Sequence, residues 1–259
     1  MRPRSRILLQ TTIPFVEDDW HIGRFRLLHE HLASLVTPDG DRAFEVVSRD
    51  REPIEGVDPV LRDANTSDFD QIWVFGVDGG AESGLSEPEL AGLDRYYRSG
   101  GSLLLTRDHH DMGCNLSKVG DVGAVHCWQT VTPEEDLSRQ TQDDDNASIG
   151  WPNYHSGKNG AFQRIEPIHP NHPLLEGVAL LPAHPHEGAL RTPTSESGHA
   201  VARGKSRLSG RDFVLVVAFD HPARDGVPAR RAAAHSSFHH FADYNIDVSV
   251  ARRASLPTQ

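Results

Sequence analysis

Residues 71–106 read QIWVFGVDGGAESGLSEPELAGLDRYYRSGGSLLLT. They begin with a continuous apolar run at 71–77, which is typical of a strand buried on both faces. The sequence SEPE at 86–89 has the pattern of a capping box with proline in the first turn, and it predicts the start of a helix. The apolar side chains of this helix recur on one side: Leu90, Leu93, Tyr96 and Tyr97. Glycines end the helix before a second buried strand at 102–106, so the order predicts two parallel strands joined by a right-handed crossover.

The alternation of strands and helices continues on both sides of this stretch. Apolar runs predict strands at 6–12, 44–48, 213–219 and 232–236, with regular structure also at 161–167. Apolar spacing predicts helices at 24–35 and 238–250. We therefore predict one α/β domain, 1–259, with a mostly parallel central sheet and long loop excursions. Two segments are expected to lie outside its regular structure: an acidic loop excursion at 133–160 and a disordered tail at 251–259.

The composition excludes several classes of protein. The 259 residues include 26 basic and 37 acidic side chains, and the net charge of −11 argues against nucleic acid as a partner, because phosphates need a basic surface. No apolar run approaches the ~20 residues of a membrane span, and the N-terminus lacks the pattern of a signal peptide. Two cysteines do not form a disulfide framework. We expect a cytoplasmic protein with a small-molecule substrate and no membrane partner, and the sequence leaves a homo-oligomer open.

Sixteen histidines are the outlier in the composition, and two clusters of them follow predicted strands. The first cluster, Thr106-Arg107-Asp108-His109-His110-Asp111, lies at the carboxyl end of the strand at 102–106. Ligands of open parallel sheets bind outside the carboxyl ends of the strands. Four consecutive ionisable side chains cannot all be buried without partners, so they either line a polar site or form a solvated loop.

The second cluster lies at 234–245 and contains His235, His239, His240 and Asp243. In the predicted helix, His239 and Asp243 are four residues apart and share one face. Such a pair can chelate a metal, or it can act as a base with its orienting acid. The alternative is a helix N-terminus with exposed histidines and a serine cap.

Three other sequence features are weaker evidence for a functional site. The segment 151–160 contains Tyr154, His155 and Lys158, which suit a loop that grips a substrate, although an ordinary structured loop explains them almost as well. The proline- and histidine-rich segments at 169–177 and 184–187 are more typical of turns. Cys114 has histidines and acids nearby in the sequence, which could lower the pKa of a nucleophilic thiol, but we predict a structural role for it.

The order of these elements resembles the class I glutamine amidotransferase-like superfamily, in particular its ThuA-like (trehalose-utilisation-like) branch. Four segments carry the resemblance: 69–76, 90–106, 172–177 with the sequence HPLLEG, and 231–239. The resemblance implies a flavodoxin-like three-layer sandwich. The family's elbow cysteine corresponds to about Asp108 and its histidine to His239, with Phe238 in place of the usual glycine. Because thioester chemistry on glutamine requires a thiolate at the elbow, the resemblance extends to the fold and not to the reaction.

These observations lead to one functional hypothesis with two rivals. We expect an enzyme that acts on a small polar metabolite, sugar-like or carbonyl-containing, by hydrolysis or proton transfer at an Asp/His site. Its expected catalytic residues are Asp108, His239 and His109; the expected substrate-binding residues are Arg107, Tyr154, His155 and Lys158. The expected ligands of a divalent metal, with Zn, Fe, Mn and Ni not distinguished, are His110, His235, His240 and Asp243. Without a metal, the same site works by acid–base catalysis. The rivals are a non-catalytic ligand-binding or scaffolding domain that lost the elbow cysteine, and a cysteine hydrolase that uses Cys114.

Overall fold

The structure is a computed structural model that describes residues 4–108, 110–128, 130–133, 135, 162–182, 189–193, 196–205 and 212–247. The predicted tail at 251–259 lies outside these residues, as does the predicted excursion at 133–160 except for 133 and 135. Among the described residues, no helix is long and apolar enough to cross a membrane.

The described part of the chain contains twelve strands and five helices. The strands are β1 Ser5–Thr11, β2 Phe44–Arg49, β3 Gln71–Phe75, β4 Ser102–Thr106, β5 His126–Cys127, β6 Phe162–Arg164, β7 Glu166–Pro167, β8 Leu180–Pro182, β9 Ala189–Leu190, β10 Gly198–Lys205, β11 Asp212–His221 and β12 Arg230–His235. The helices are α1 Arg26–Ser34, α2 Pro59–Arg62, α3 Glu87–Arg98, α4 Gly120–Ala124 and α5 Asp243–Ile246. Short 3-10 turns lie at Ile22–Phe25, Cys114–Lys118, Pro173–Leu175 and Phe238–Phe241.

Eight of the strands form one sheet in the order β2-β1-β3-β4-β12-β11-β10-β7. The five strands from β2 to β12 run parallel to one another, and the last three continue the sheet in antiparallel fashion. Two small sheets, β5-β9 and β6-β8, lie beside it. The predicted α/β fold with a mostly parallel sheet is therefore confirmed.

Apolar side chains cover both faces of the sheet. Along β1, Leu8 points into a core shared with α2, α3 and α4, whereas Ile7 and Leu9 point into a second core shared with α1 and α5. This alternation follows from the pleat, which sends successive side chains of a strand to opposite faces. The result is the expected three layers, with helices on each side of a buried sheet.

The start of α3 is tied to the rest of the domain by the capping box at 86–89. Glu89 accepts a hydrogen bond from the backbone N–H of Ser86 (2.5 Å), as a capping box requires. The same carboxylate is buried and forms a two-point ion pair with Arg51, at the end of β2. Glu89, which completes the capping box, therefore also ties the start of α3 to the segment that follows β2.

The predicted helix at 238–250 is wrong for its described residues. The chain makes a 3-10 turn at Phe238–Phe241, passes through Ala242 in an extended conformation (φ −76°, ψ 146°), and forms one helical turn as α5. Residues 248–250 lie outside the described part. Because the extended residue separates the two turns, His239 and Asp243 do not share a helix face.

Candidate active site

The two histidine clusters meet because β4 and β12 are neighbours. These strands are parallel, and Thr106 pairs with His235 in their register. The segments that follow them therefore begin side by side at the carboxyl edge of the sheet, where ligands of such folds bind. The backbone N–H of Phe238 donates to the carbonyl oxygen of Arg107 (2.8 Å) and joins the segments directly.

Asp108 and His239 form a buried pair at this junction. The Oδ2 atom of Asp108 lies 3.0 Å from Nε2 of His239, and the two residues are 2% and 1% exposed. On the other side of the imidazole ring, Nδ1 lies 2.5 Å from the hydroxyl oxygen of Tyr244. A continuous chain of side-chain hydrogen bonds thus runs from Asp108 through His239 to Tyr244.

The imidazole of His239 is also held by packing and backbone contacts. The indole of Trp20 meets it edge-on, with ring centroids 4.8 Å apart, and the phenyl ring of Phe238 stacks on it at 4.2 Å. Its backbone N–H donates to the hydroxyl of Ser237 (3.2 Å), and its carbonyl accepts from the side-chain amide of Asn245 (2.6 Å). The position and the plane of the ring are therefore set by several elements at once.

Arg107 does not have the placement expected of a substrate-binding residue. Its guanidinium lies over the ring of Trp128 at 4.3 Å and is buried in the core. It donates to the backbone carbonyls of Asp108 (2.5 Å), Cys127 and His110 (2.9 Å). These contacts hold the loop after β4 in place.

Of the expected metal ligands, His235 and His240 lie in ring contact, whereas Asp243 is engaged by the start of α1. Asp243 accepts a hydrogen bond from the backbone N–H of Leu27 (2.7 Å), so its carboxylate supports the first turn of α1. His235 meets the ring of His240 edge-on at 5.1 Å, and burial, followed by the nearby His240, lowers the pKa of His235 well below its usual value. Among the described residues, no group of three His, Cys, Asp or Glu side chains could hold a metal ion.

The loop after β4 includes a non-glycine residue with a left-handed backbone. Among the described non-glycine residues, φ is positive at Glu55, His110 and Asp225. His110, two positions beyond Asp108, lies in the left-handed region (φ 52°). The other expected site residues, His109, Tyr154, His155 and Lys158, lie outside the part of the chain that the structure describes.

Cys114 lies in the 3-10 turn after β4 and is fully buried. Burial raises the pKa of its thiol, and the negative charges of Asp78 and Asp111 raise it further. A nucleophilic cysteine needs the opposite shift. The position of Cys114 does not fit the cysteine-hydrolase alternative.

Two residues of the site were not singled out by sequence reasoning. Tyr244 lies within the second histidine cluster. The chain is extended at Ala242, and in the helical turn that follows, the hydroxyl of Tyr244 lies next to His239. Trp20 comes from the loop after β1 and reaches His239 through tertiary packing alone. An aromatic residue that carries a hydroxyl and lies close to a histidine is a weak signal that could have indicated Tyr244.

The sequence matches no protein-family model and no curated protein. Among solved structures, the chain is similar to the mmIFT52 N-terminal domain, with a TM-score of 0.53 and 12% identity over 94% of this chain and 90% of that chain. It is also similar to a ThuA-like protein from Bacteroides uniformis, with a TM-score of 0.42 and 11% identity over 97% of this chain and 91% of that chain. The glutaminase domain of Trypanosoma brucei CTPS matches with a TM-score of 0.42 and 16% identity over 94% of this chain and 89% of that chain. At these identities the likeness concerns the fold alone. The chain has an α/β fold with a mostly parallel central sheet and helices on both sides, and a ThuA-like protein is among the solved structures to which it is similar.

Proposed function

We propose that this protein is an enzyme that moves a proton on a small polar metabolite, with Asp108 and His239 as its acid–base pair. The observation that carries the proposal is the 3.0 Å hydrogen bond between their side chains at the carboxyl ends of β4 and β12. A carboxylate and an imidazole in contact are the usual components of general acid–base catalysis. Their buried setting strengthens each electrostatic interaction between them.

The proposed reaction is hydrolysis or proton transfer next to a carbonyl group. Asp108 occupies the place where the family resemblance expects a cysteine, so a carboxylate base replaces a thiolate nucleophile. The substrate class, a sugar-like or carbonyl-containing molecule, is proposed by analogy with the ThuA-like branch. The proposal also places the enzyme in the cytoplasm, with neither nucleic acid nor membrane as partner. The proposal assigns no step to a metal, since the described residues offer no group of three His, Cys, Asp or Glu side chains for one.

The enclosure of the pair favours a second function, a non-catalytic ligand-binding or scaffolding domain. Asp108 and His239 are 2% and 1% exposed, and both ring nitrogens of His239 are engaged by other side chains. A pair so enclosed can serve to hold the segments after β4 and β12 together. The proposed functions differ in whether any substrate is turned over.

The test uses the full chain with a panel of sugars, sugar acids and hydroxyketones in heavy water, followed by proton NMR. Deuterium incorporation next to a carbonyl reports proton transfer, and new products report hydrolysis. We expect Asp108→Asn and His239→Gln each to lower turnover by at least about 100-fold. Unchanged turnover in both variants contradicts the acid–base pair, whereas binding without turnover in the wild-type protein favours the ligand-binding domain.

A second histidine–carboxylate pair provides a matched control. Nε2 of His221 lies 2.8 Å from Oδ2 of Asp121. His221 ends β11 opposite Arg230, the first residue of β12, and therefore lies at the amino edge of the sheet. His221→Gln removes a histidine–carboxylate hydrogen bond at the edge of the sheet opposite the proposed active site, and we expect it to leave turnover unchanged.

A further inference from the structure

Tyr244 lies directly behind His239, on the side away from Asp108. Its hydroxyl oxygen is 2.5 Å from Nδ1 of His239, and its ring is buried against Trp20, with centroids 5.7 Å apart. Asp243, the preceding residue, anchors this turn to the backbone of Leu27. The hydroxyl is therefore held toward the imidazole by its own packing and by its neighbour.

The donor of each hydrogen bond in this chain follows from the protons that each group carries. In the proposed function Asp108 is a carboxylate and can only accept, so Nε2 of His239 must donate to it. A neutral imidazole has a single N–H, which leaves Nδ1 with a lone pair. The donor between Nδ1 and Tyr244 is then the phenol. Burial, followed by the negative charge of Asp108, raises the pKa of Tyr244 well above its usual value, so the phenol keeps its proton.

We infer that Tyr244 is a positioning residue that fixes His239 in the tautomer with its proton on Nε2, toward Asp108. The inference rests on the proposed function, in which Asp108 is the base. In the other tautomer the lone pair of Nε2 faces the carboxylate and the two groups repel. A buried group that holds a catalytic imidazole in the correct tautomer has a large effect on catalysis without touching the substrate.

The test combines turnover with 15N NMR of the histidine ring nitrogens. In the wild-type protein we expect Nδ1 of His239 to be unprotonated and hydrogen-bonded, and Nε2 to be protonated. Tyr244→Phe keeps the aromatic packing and removes only the hydroxyl. We expect the Nδ1 signal to move toward that of a nitrogen without a hydrogen bond, and kcat to fall about 10- to 100-fold with KM unchanged, as for other partners that orient an imidazole.

Tyr96→Phe is the matched control, because Tyr96 is also buried but its hydroxyl donates to the carbonyl of Phe69 on the other face of the sheet. It is expected to leave the His239 signals unchanged. A protonated Nδ1 in the wild-type protein, or an Nδ1 signal that does not respond to Tyr244→Phe, overturns the inference whether or not a substrate is known. If Asp108→Asn lowers turnover and Tyr244→Phe does not, the positioning role fails and the proposed function remains.

Discussion

The buried ion pair between Arg51 and Glu89 allows a quantitative prediction about stability. Nε and Nη2 of Arg51 lie 2.7 and 2.8 Å from the two carboxylate oxygens, and the side chains are 10% and 0% exposed. Glu89 also accepts from the backbone N–H groups of Asp58 (2.8 Å) and Ser86 (2.5 Å). Glu89→Gln keeps the shape of the side chain but removes its charge and turns an amide donor toward other donors.

Removing one partner of a buried ion pair costs about 3–5 kcal/mol, because the remaining charge is left in a poorly solvated place. Here Arg51 keeps one hydrogen bond, from Nη2 to the carbonyl of Gly56 (2.9 Å). We therefore expect Glu89→Gln to lower the free energy of unfolding by about 3 kcal/mol, the lower end of that range. The control is Glu87→Gln in the same helical turn. Glu87 pairs with Lys118 at side-chain exposures of 74% and 51%, and its loss is expected to cost less than about 1 kcal/mol.

Urea unfolding at neutral pH measures both variants, with the slope m checked for constancy. Equal midpoints for Glu89→Gln and Glu87→Gln would refute the reasoning. The pH dependence provides a second check. Burial raises the pKa of Glu89, but hydrogen bonds from Arg51 and Ser86 outweigh it and the net shift is downward. Its stabilisation is therefore present above the usual pKa of 4.5 and is lost as the pH falls below it, so the difference between wild type and Glu89→Gln should shrink in acid.

Two further predictions concern other buried positions. A Cβ atom at Gly92 would lie 2.1 Å from the carbonyl oxygen of Leu61 in α2, so Gly92→Ala must push two helices apart; we expect a loss of about 1–3 kcal/mol in urea unfolding, and an unchanged midpoint would contradict this contact. Burial raises the pKa of Asp78, although hydrogen bonds from the side chain of Thr12 and the backbone of Gly80 oppose the shift. Its contribution to stability is complete below the usual pKa of 3.8 and is lost as the pH rises through the raised folded-state pKa, so Asp78→Asn should gain stability relative to wild type as the pH rises above 3.8. A pH-independent difference would argue against that shift.

Local patterns were sufficient to predict most of the parallel half of the fold. The apolar runs that became β1, β3 and β4 form central strands of the sheet, and the capping box at 86–89 begins α3 as predicted. These signals are readable because strand burial and helix capping depend on residues close together in the chain. The strand β10 was not predicted, because its sequence, GHAVARGK, mixes glycine and charged residues with few apolar ones.

The sequence by itself determined the alternation of strands and helices, and it placed one polar cluster at the end of β4 and another at the end of β12. The tertiary structure decided which members of those clusters meet. Asp108 and His239 are 131 residues apart and come together only because β12 inserts beside β4. The sequence did not indicate that the guanidinium of Arg107 contacts Trp128 and three backbone carbonyls, or that the carboxylate of Asp243 accepts a hydrogen bond from the first turn of α1. Contacts of this kind depend on how strands are ordered in the sheet and on how side chains share buried space, and no local pattern of residues encodes either.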